Sequence, residues 1–235
     1  QIARLNEVLT EENRELLQNF WQSKMVANLS DEARERLDDA YPVIVHALLA
    51  HQEQQQLANT ALPRLISLLE AICRRSIYLV MIAENPNATI ELIPMLSASP
   101  WIAKELAQYP VLLDTFLQQR YRHLPDKREL RDILRQQLLR VEPNDEEELL
   151  SVLRLFKKNQ VLAVAASDVL AERPIMKVSD SLTYIAEVVL EAALERAFAE
   201  IVNRYGYPIG QDGDPVTEAD CGFAIIGYGK LGGLE

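Results

Sequence analysis

Cys221-Gly-Phe-Ala-Ile-Ile-Gly-Tyr-Gly-Lys-Leu-Gly-Gly-Leu-Glu235 has a different texture from everything before it. Its short apolar run, residues 223–226, reads as a buried strand. The run feeds a turn that holds Gly227, Gly229, Gly232 and Gly233 with one lysine, Lys230. Half of the chain's eight glycines therefore fall in this turn. Glycine removes the Cβ that would hold a ligand off the backbone, and the lysine supplies positive charge. Together they suit a phosphate-bearing ligand.

Just upstream, Gly206, Pro208, Gly210, Asp212, Gly213, Asp214 and Pro215 make a turn-rich linker over residues 206–220. Before it, nearly all of residues 1–205 has helical period. Residues 61–84 place Leu62, Ile66, Leu69, Cys73, Leu79 and Val80 on one stripe, and residues 77–82 are apolar all round. Asn85-Pro86 stops that helix, because a residue before proline is pushed out of the helical region. Residues 87–97 form a short helix. Ser99-Pro100 opens the next, Tyr109-Pro110 breaks again, and residues 111–119 resume. After a polar break at 120–128, helices are expected over 127–140, 146–171 and 179–205. Asn144 and Glu147 are placed as a capping box for the second of these. The acidic run at 145–148 is assigned to capping rather than metal binding. Leu182, Ile185, Val189, Ala193, Ala197 and Ile201 form the stripe of the last helix, which is expected to pair antiparallel with 146–171. The fold class expected is all-α, a multi-helix bundle, with the first strand of an α/β domain at its C-terminal end.

Composition narrows the function. Of the 235 residues 49% are hydrophobic, enough for a real core. A net charge of −11 argues against nucleic acid or an anionic membrane as partner. The most apolar segment, residues 62–83, carries Arg64, Glu70, Arg74 and Arg75, so it is a core helix rather than a membrane span. Cys73 and Cys221 lie far apart and read as reduced thiols, and no signal peptide opens the chain. The expected setting is the cytoplasm.

Three explanations of the glycine turn compete. A P-loop needs Ser or Thr after its lysine, and Lys230 is followed by Leu231. The dinucleotide pattern G-x-G-x-x-G is matched by Gly227, Gly229 and Gly232. Its crossover helix, second strand and acidic residue about twenty positions on have no room before Glu235. A glycine turn that binds nothing also fits the composition.

The longer string, Phe223-Ala-Ile-Ile-Gly-Tyr-Gly-Lys-Leu-Gly-Gly233, resembles the glutamine synthetase adenylyltransferase/adenylyl-removing family. So do Asn85-Pro86, Ala98-Ser-Pro-Trp-Ile-Ala103, Tyr109-Pro-Val-Leu-Leu-Asp114, Leu153-Arg-Leu-Phe-Lys157, Ala165-Ala-Ser-Asp168, Met176-Lys-Val-Ser-Asp180, Leu182-Thr183 and Ala186-Glu187, in the family's order. The tyrosine between Gly227 and Gly229 resembles the C-terminal, adenylylating half of these duplicated enzymes. The resemblance implies a nucleotidyltransferase that moves AMP from ATP to a tyrosine hydroxyl of glutamine synthetase, with phosphorolytic removal as the opposing activity. It implies ATP and Mg²⁺ as cofactors, and glutamine synthetase and a PII-type nitrogen signalling protein as partners. Carried onto this sequence, Gly229, Lys230, Gly232 and Gly233 fall on the phosphate-binding turn. The metal-binding carboxylates, in a Ser-Asp-x-Asp segment, would come after Glu235, and Leu234-Glu235 is either native or a cloning remnant. The expected layout is a helical domain at 1–205, a linker at 206–220, and at 221–235 the start of a truncated nucleotidyltransferase domain. Such a fragment is expected to be inactive alone, with no catalytic and no metal residue of its own. The alternatives from other classes are a non-catalytic helical interaction module and the start of a dinucleotide-binding protein.

No other residues carry defensible chemistry. His46, His51 and His123 are isolated and suggest no zinc site. Ser167-Asp168 reads as a polar contact between helices, and Arg120, Arg122 and His123 as a solvated basic spot. Trp21 and Trp101 are expected to anchor helix packing.

Overall fold

Several helix starts are set by an oxygen-bearing side chain that satisfies an otherwise orphaned backbone N–H. Thr10 accepts from Asn13 N, Ser30 from Ala33 N and Asp145 from Glu148 N. Asp126 makes a reciprocal box with Glu129. The structure, a computed structural model, describes residues 2–142, 145–171 and 173–229. Its helices in chain order are α1 (Ile2–Val8), α2 (Glu11–Gln22), α3 (Lys24–Ala27), α4 (Asp31–Ala50), α5 (Gln55–Ile72), α6 (Ser76–Glu84), α7 (Pro86–Ala98), α8 (Pro100–Gln108), α9 (Leu112–Leu117), α10 (Lys127–Leu138), α11 (Glu146–Ala171) and α12 (Ile175–Tyr205). The all-α expectation holds. Among the described residues there is no strand, and one isolated bridge joins Ile209 to Pro215.

The helices fall into two compact units. One comprises residues 2–124 with 162–171 and 173, the other 125–142, 145–161 and 174–229, so α11 contributes to both. In the first unit α4 packs on α6 and α7, and α5 on α7 and α8. The apolar stripes of those helices fill its core with Leu37, Leu48, Leu62, Leu65, Ile72, Leu79, Ile82 and Leu92, all buried. Arg64 of α5 donates to the carbonyls of Leu96 and Ser97, satisfying the end of α7. Phe116 of α9 stacks on Tyr121, with ring centroids 5.2 Å apart.

Several boundaries differ from the sequence expectation. The helix expected over 61–84 is two, because the chain turns at Cys73–Arg75, where Arg75 N–H closes a tight turn onto Ile72 O. Neither proline nor glycine marks that break, and the apolar period runs straight through it. Ile77 is exposed, so residues 77–82 are central only on the side of Leu79 and Ile82. The cap of α11 is Asp145 with Glu148, one residue later than expected. Asn144 lies outside the described residues.

In the second unit the helix that lies closest along α12 is α10, not α11. The expected stripe of α12 is displaced as well: its buried positions are Val178, Ile185 and Val188, while Leu182, Ala193, Ala197 and Ile201 are exposed. Steps of four residues each advance about 40° around a helix of 100° per residue. A row spaced by fours therefore winds from the packed side to the open one.

Candidate functional site

Gly206 ends α12 with φ +82, a left-handed conformation that favours glycine, and its N–H reaches Val202 O. The linker then folds on itself through Gly210 N–H to Asp214 O and Val216 N–H to Pro208 O. Beyond it, residues 223–226 form no strand. A strand needs a partner to take up its alternating N–H and C=O groups, and no second extended run exists among the described residues. Phe223, Ile225, Ile226 and Tyr228 are exposed.

Of the expected phosphate-turn residues, Gly229 is described, while Lys230, Gly232 and Gly233 lie outside the described residues. Gly229 has φ +63, and an added Cβ there would meet nothing within 4 Å. Glycine is favoured at this position by its backbone conformation and not by crowding. Tyr228 beside it is turned to solvent.

The segment leading into that turn sits beside a platform made by α10 and α12. Ile225, Ile226 and Gly227 line a groove of about 380 Å³ together with Lys127, Leu190 and Leu194. The platform is tied by charge. Lys127 Nζ lies 3.1 Å from both Glu187 Oε2 and Glu191 Oε1. Arg131 forks onto Glu191, with Nε 2.7 Å from Oε2 and Nη2 3.0 Å from Oε1. The carboxylates of Glu187 and Glu191 raise the Lys127 ammonium above its usual value, and Glu191 raises the Arg131 guanidinium. The Arg131 hydrogen bond, the largest influence, holds Glu191 below the usual carboxylate range; burial opposes it, and Lys127 adds to the lowering.

This network was not singled out from the sequence, although its signal is there. Lys127 and Arg131 are four apart on one helix, and Glu187 and Glu191 are four apart on another, so each pair shares a helix face. The consequence for pH follows from the signs. The Glu191 contribution is present above the ordinary carboxylate pKa and is lost as pH falls through its lowered folded value. The Lys127 contribution is present below its ordinary value and is lost as pH rises through its raised one. These groups are partly exposed, so Glu191→Gln should cost about 0.5–1 kcal/mol at pH 7. Urea midpoints of the two proteins should converge as pH falls through the lowered folded value of Glu191. A gap of unchanged size there would contradict the network.

Other residues weighed from the sequence have structural partners. His51 Nε2 lies 3.1 Å from Ile90 O. Ser167 is buried and accepts from Arg173 at 2.5 Å. Its partner thus lies just past its own helix rather than on another. Arg122 is not simply solvated: its guanidinium lies 2.6 Å from Glu91, which also accepts from the Tyr121 hydroxyl. Trp21 packs edge-on against Phe20 and Tyr41, with Arg34 over its ring. Trp101, by contrast, is 43% exposed and anchors little. Cys73 is a buried free thiol, pushed up by its burial, and Cys221 is a half-buried one. No group of three or more His, Cys, Asp or Glu among the described residues could hold a metal ion. No described helix is long and apolar enough to cross a membrane.

Comparison with known proteins extends this picture across nearly the whole chain. A family profile described as glutamate-ammonia ligase adenylyltransferase matches residues 89–235. A bifunctional glutamine synthetase adenylyltransferase/adenylyl-removing enzyme of Acinetobacter baylyi is 48% identical over 231 residues, 98% of this chain and 24% of that protein. Proteins of the same description from Hahella chejuensis and Thioalkalivibrio sulfidiphilus are 43% and 42% identical over 91% and 94% of this chain. The chain spans 22% of each of those two. It therefore covers about a quarter of the length of the curated relatives it matches, and it belongs to the glutamate-ammonia ligase adenylyltransferase family.

Proposed function

We propose that this chain is a piece of an enzyme that transfers AMP from ATP to a tyrosine hydroxyl of glutamine synthetase. It would supply the helical body and, in residues 221–235, the first strand and phosphate turn of the catalytic domain. The observation that carries the proposal is the match to bifunctional adenylyltransferases over 98% of the chain. The left-handed Gly229 at the turn supports it.

In this proposal the residues that would hold nucleotide phosphate are Gly229, Lys230, Gly232 and Gly233. Backbone N–H groups around the glycines would donate hydrogen bonds to phosphate oxygens, and the Lys230 ammonium would offset their charge. Mg²⁺, bound by carboxylates outside these 235 residues, would supply stabilisation of charge on the attacking and leaving oxygens. A PII-type signalling protein would tune the balance with the adenylyl-removing activity, in the cytoplasm.

Because the turn alone positions phosphate without completing a site, the 235-residue chain should transfer no label. The test is incubation with radiolabelled ATP, Mg²⁺ and glutamine synthetase. Incorporation at the background level is expected, and incorporation above it would overturn the assignment of the missing chemistry to the rest of the family protein.

A further inference from the structure

α12 has two apolar faces, and one of them is uncovered. Val178, Ile185 and Val188 are buried. Farther round the helix Ile201 is 53% exposed, and Ala193 and Ala197 before it are exposed as well. The middle of this outer face is made of alanines, which let another backbone approach closely. A helix with apolar residues on both sides is normally covered on both sides.

The chain's own path says what approaches the face. After the linker, residues 225–227 return to its edge and line the groove beside Leu190 and Leu194. Phe223 and Ile225 alternate with Ala224 and Ile226, so a strand here would be apolar on both faces, the pattern of a sheet covered by helices. The relatives are about four times as long as the matched stretch, which leaves ample polypeptide to build that sheet. A second copy of this chain suits the face poorly. Each copy carries a net charge of −11, which opposes close association of two copies.

We propose that the outer face of α12, centred on Ala193, Ala197 and Ile201, is the seat of the domain that residues 223–229 open in the longer family protein. The first strand lies along Leu190 and Leu194, and the rest of its sheet covers the alanines. This interface rests on the functional reading above, which assigns those residues to the start of a domain. It gives the long helix a second role, as the rigid bracket that fixes the glycine turn relative to the helical body.

The test places Ala197→Glu with Ile201→Glu in two settings. One is the 235-residue chain. The other is a chimera in which this chain replaces the stretch it matches in the Acinetobacter baylyi protein. In the short chain the substitutions fall on open surface, and the melting temperature should be unchanged. In the chimera they should detach the following domain, and proteolytic cleavage within 206–220 should become about tenfold faster. Trp101→Glu, an exposed site on the first unit, should leave that cleavage unchanged.

Equal cleavage of the substituted and unsubstituted chimeras would overturn the proposal. So would a short-chain dimer that the substitutions convert to monomer, because the face would then belong to a second copy. Unfolding of the short chain by the substitutions would overturn it too, by showing the face already covered. AMP transfer by the unsubstituted chimera is measured separately. An inactive chimera with a face-dependent cleavage rate rejects the functional reading alone, and an active one with no such dependence rejects this interface alone.

Discussion

Phe116→Ala is expected to destabilise the first unit by about 3–5 kcal/mol, the range for removing a fully buried phenyl ring. Phe116 is 1% exposed and stacks on Tyr121, whose hydroxyl bonds Glu91, which in turn pairs with Arg122. Loss of the ring leaves a cavity and also frees the residue that anchors this polar chain. At about 2–4 °C per kcal/mol for a chain of this size, melting should fall by roughly 6–20 °C. The two units need not unfold together, so calorimetry should register the drop in the transition of the first unit. A fall of less than about 2 °C would mean that the ring is not part of a packed core.

The second large effect is on activity. Gly229→Val in the chimera described above should lower kcat/KM for AMP transfer by about a hundredfold. Valine at φ +63 is strained by about 1–3 kcal/mol, and relief of that strain would move the backbone N–H groups proposed to bind phosphate. Gly229→Ala, less hindered at Cβ, should lose less. In the 235-residue chain nothing lies within 4 Å of the new Cβ, so the same valine should destabilise only through that backbone strain. An active Gly229→Val chimera would remove this turn from the phosphate site.

How far the fold can be read from the sequence depends on the kind of signal. Breaks marked by chemistry were legible: Asn85-Pro86, Ser99-Pro100 and Tyr109-Pro110 each fall at a helix boundary, and α11 has the expected limits. The turn at Cys73–Arg75 was not, because it lacks proline and glycine and is imposed by how α5 and α6 pack. The outer row of α12 was legible as a stripe but not as an exposed one. Periodicity says that a face is apolar, not what covers it. The α10–α12 ion pairs depend on which helices become neighbours, so the matching spacings acquire meaning only once those helices are adjacent. At the candidate site the sequence suggested glycines for close ligand approach, whereas what the structure shows at Gly229 is a backbone conformation that favours glycine. The strand at 223–226 needs partners that no described residue supplies.

The central claim is that this chain carries the helical body and the phosphate turn of a glutamine synthetase adenylyltransferase. The most direct measurement is label transfer from ATP to glutamine synthetase by the Acinetobacter baylyi chimera. A rate within about tenfold of the unaltered relative is expected, since a shift of that size is only about 1.4 kcal/mol of transition-state stabilisation. A stable, folded chimera that transfers no AMP would contradict it.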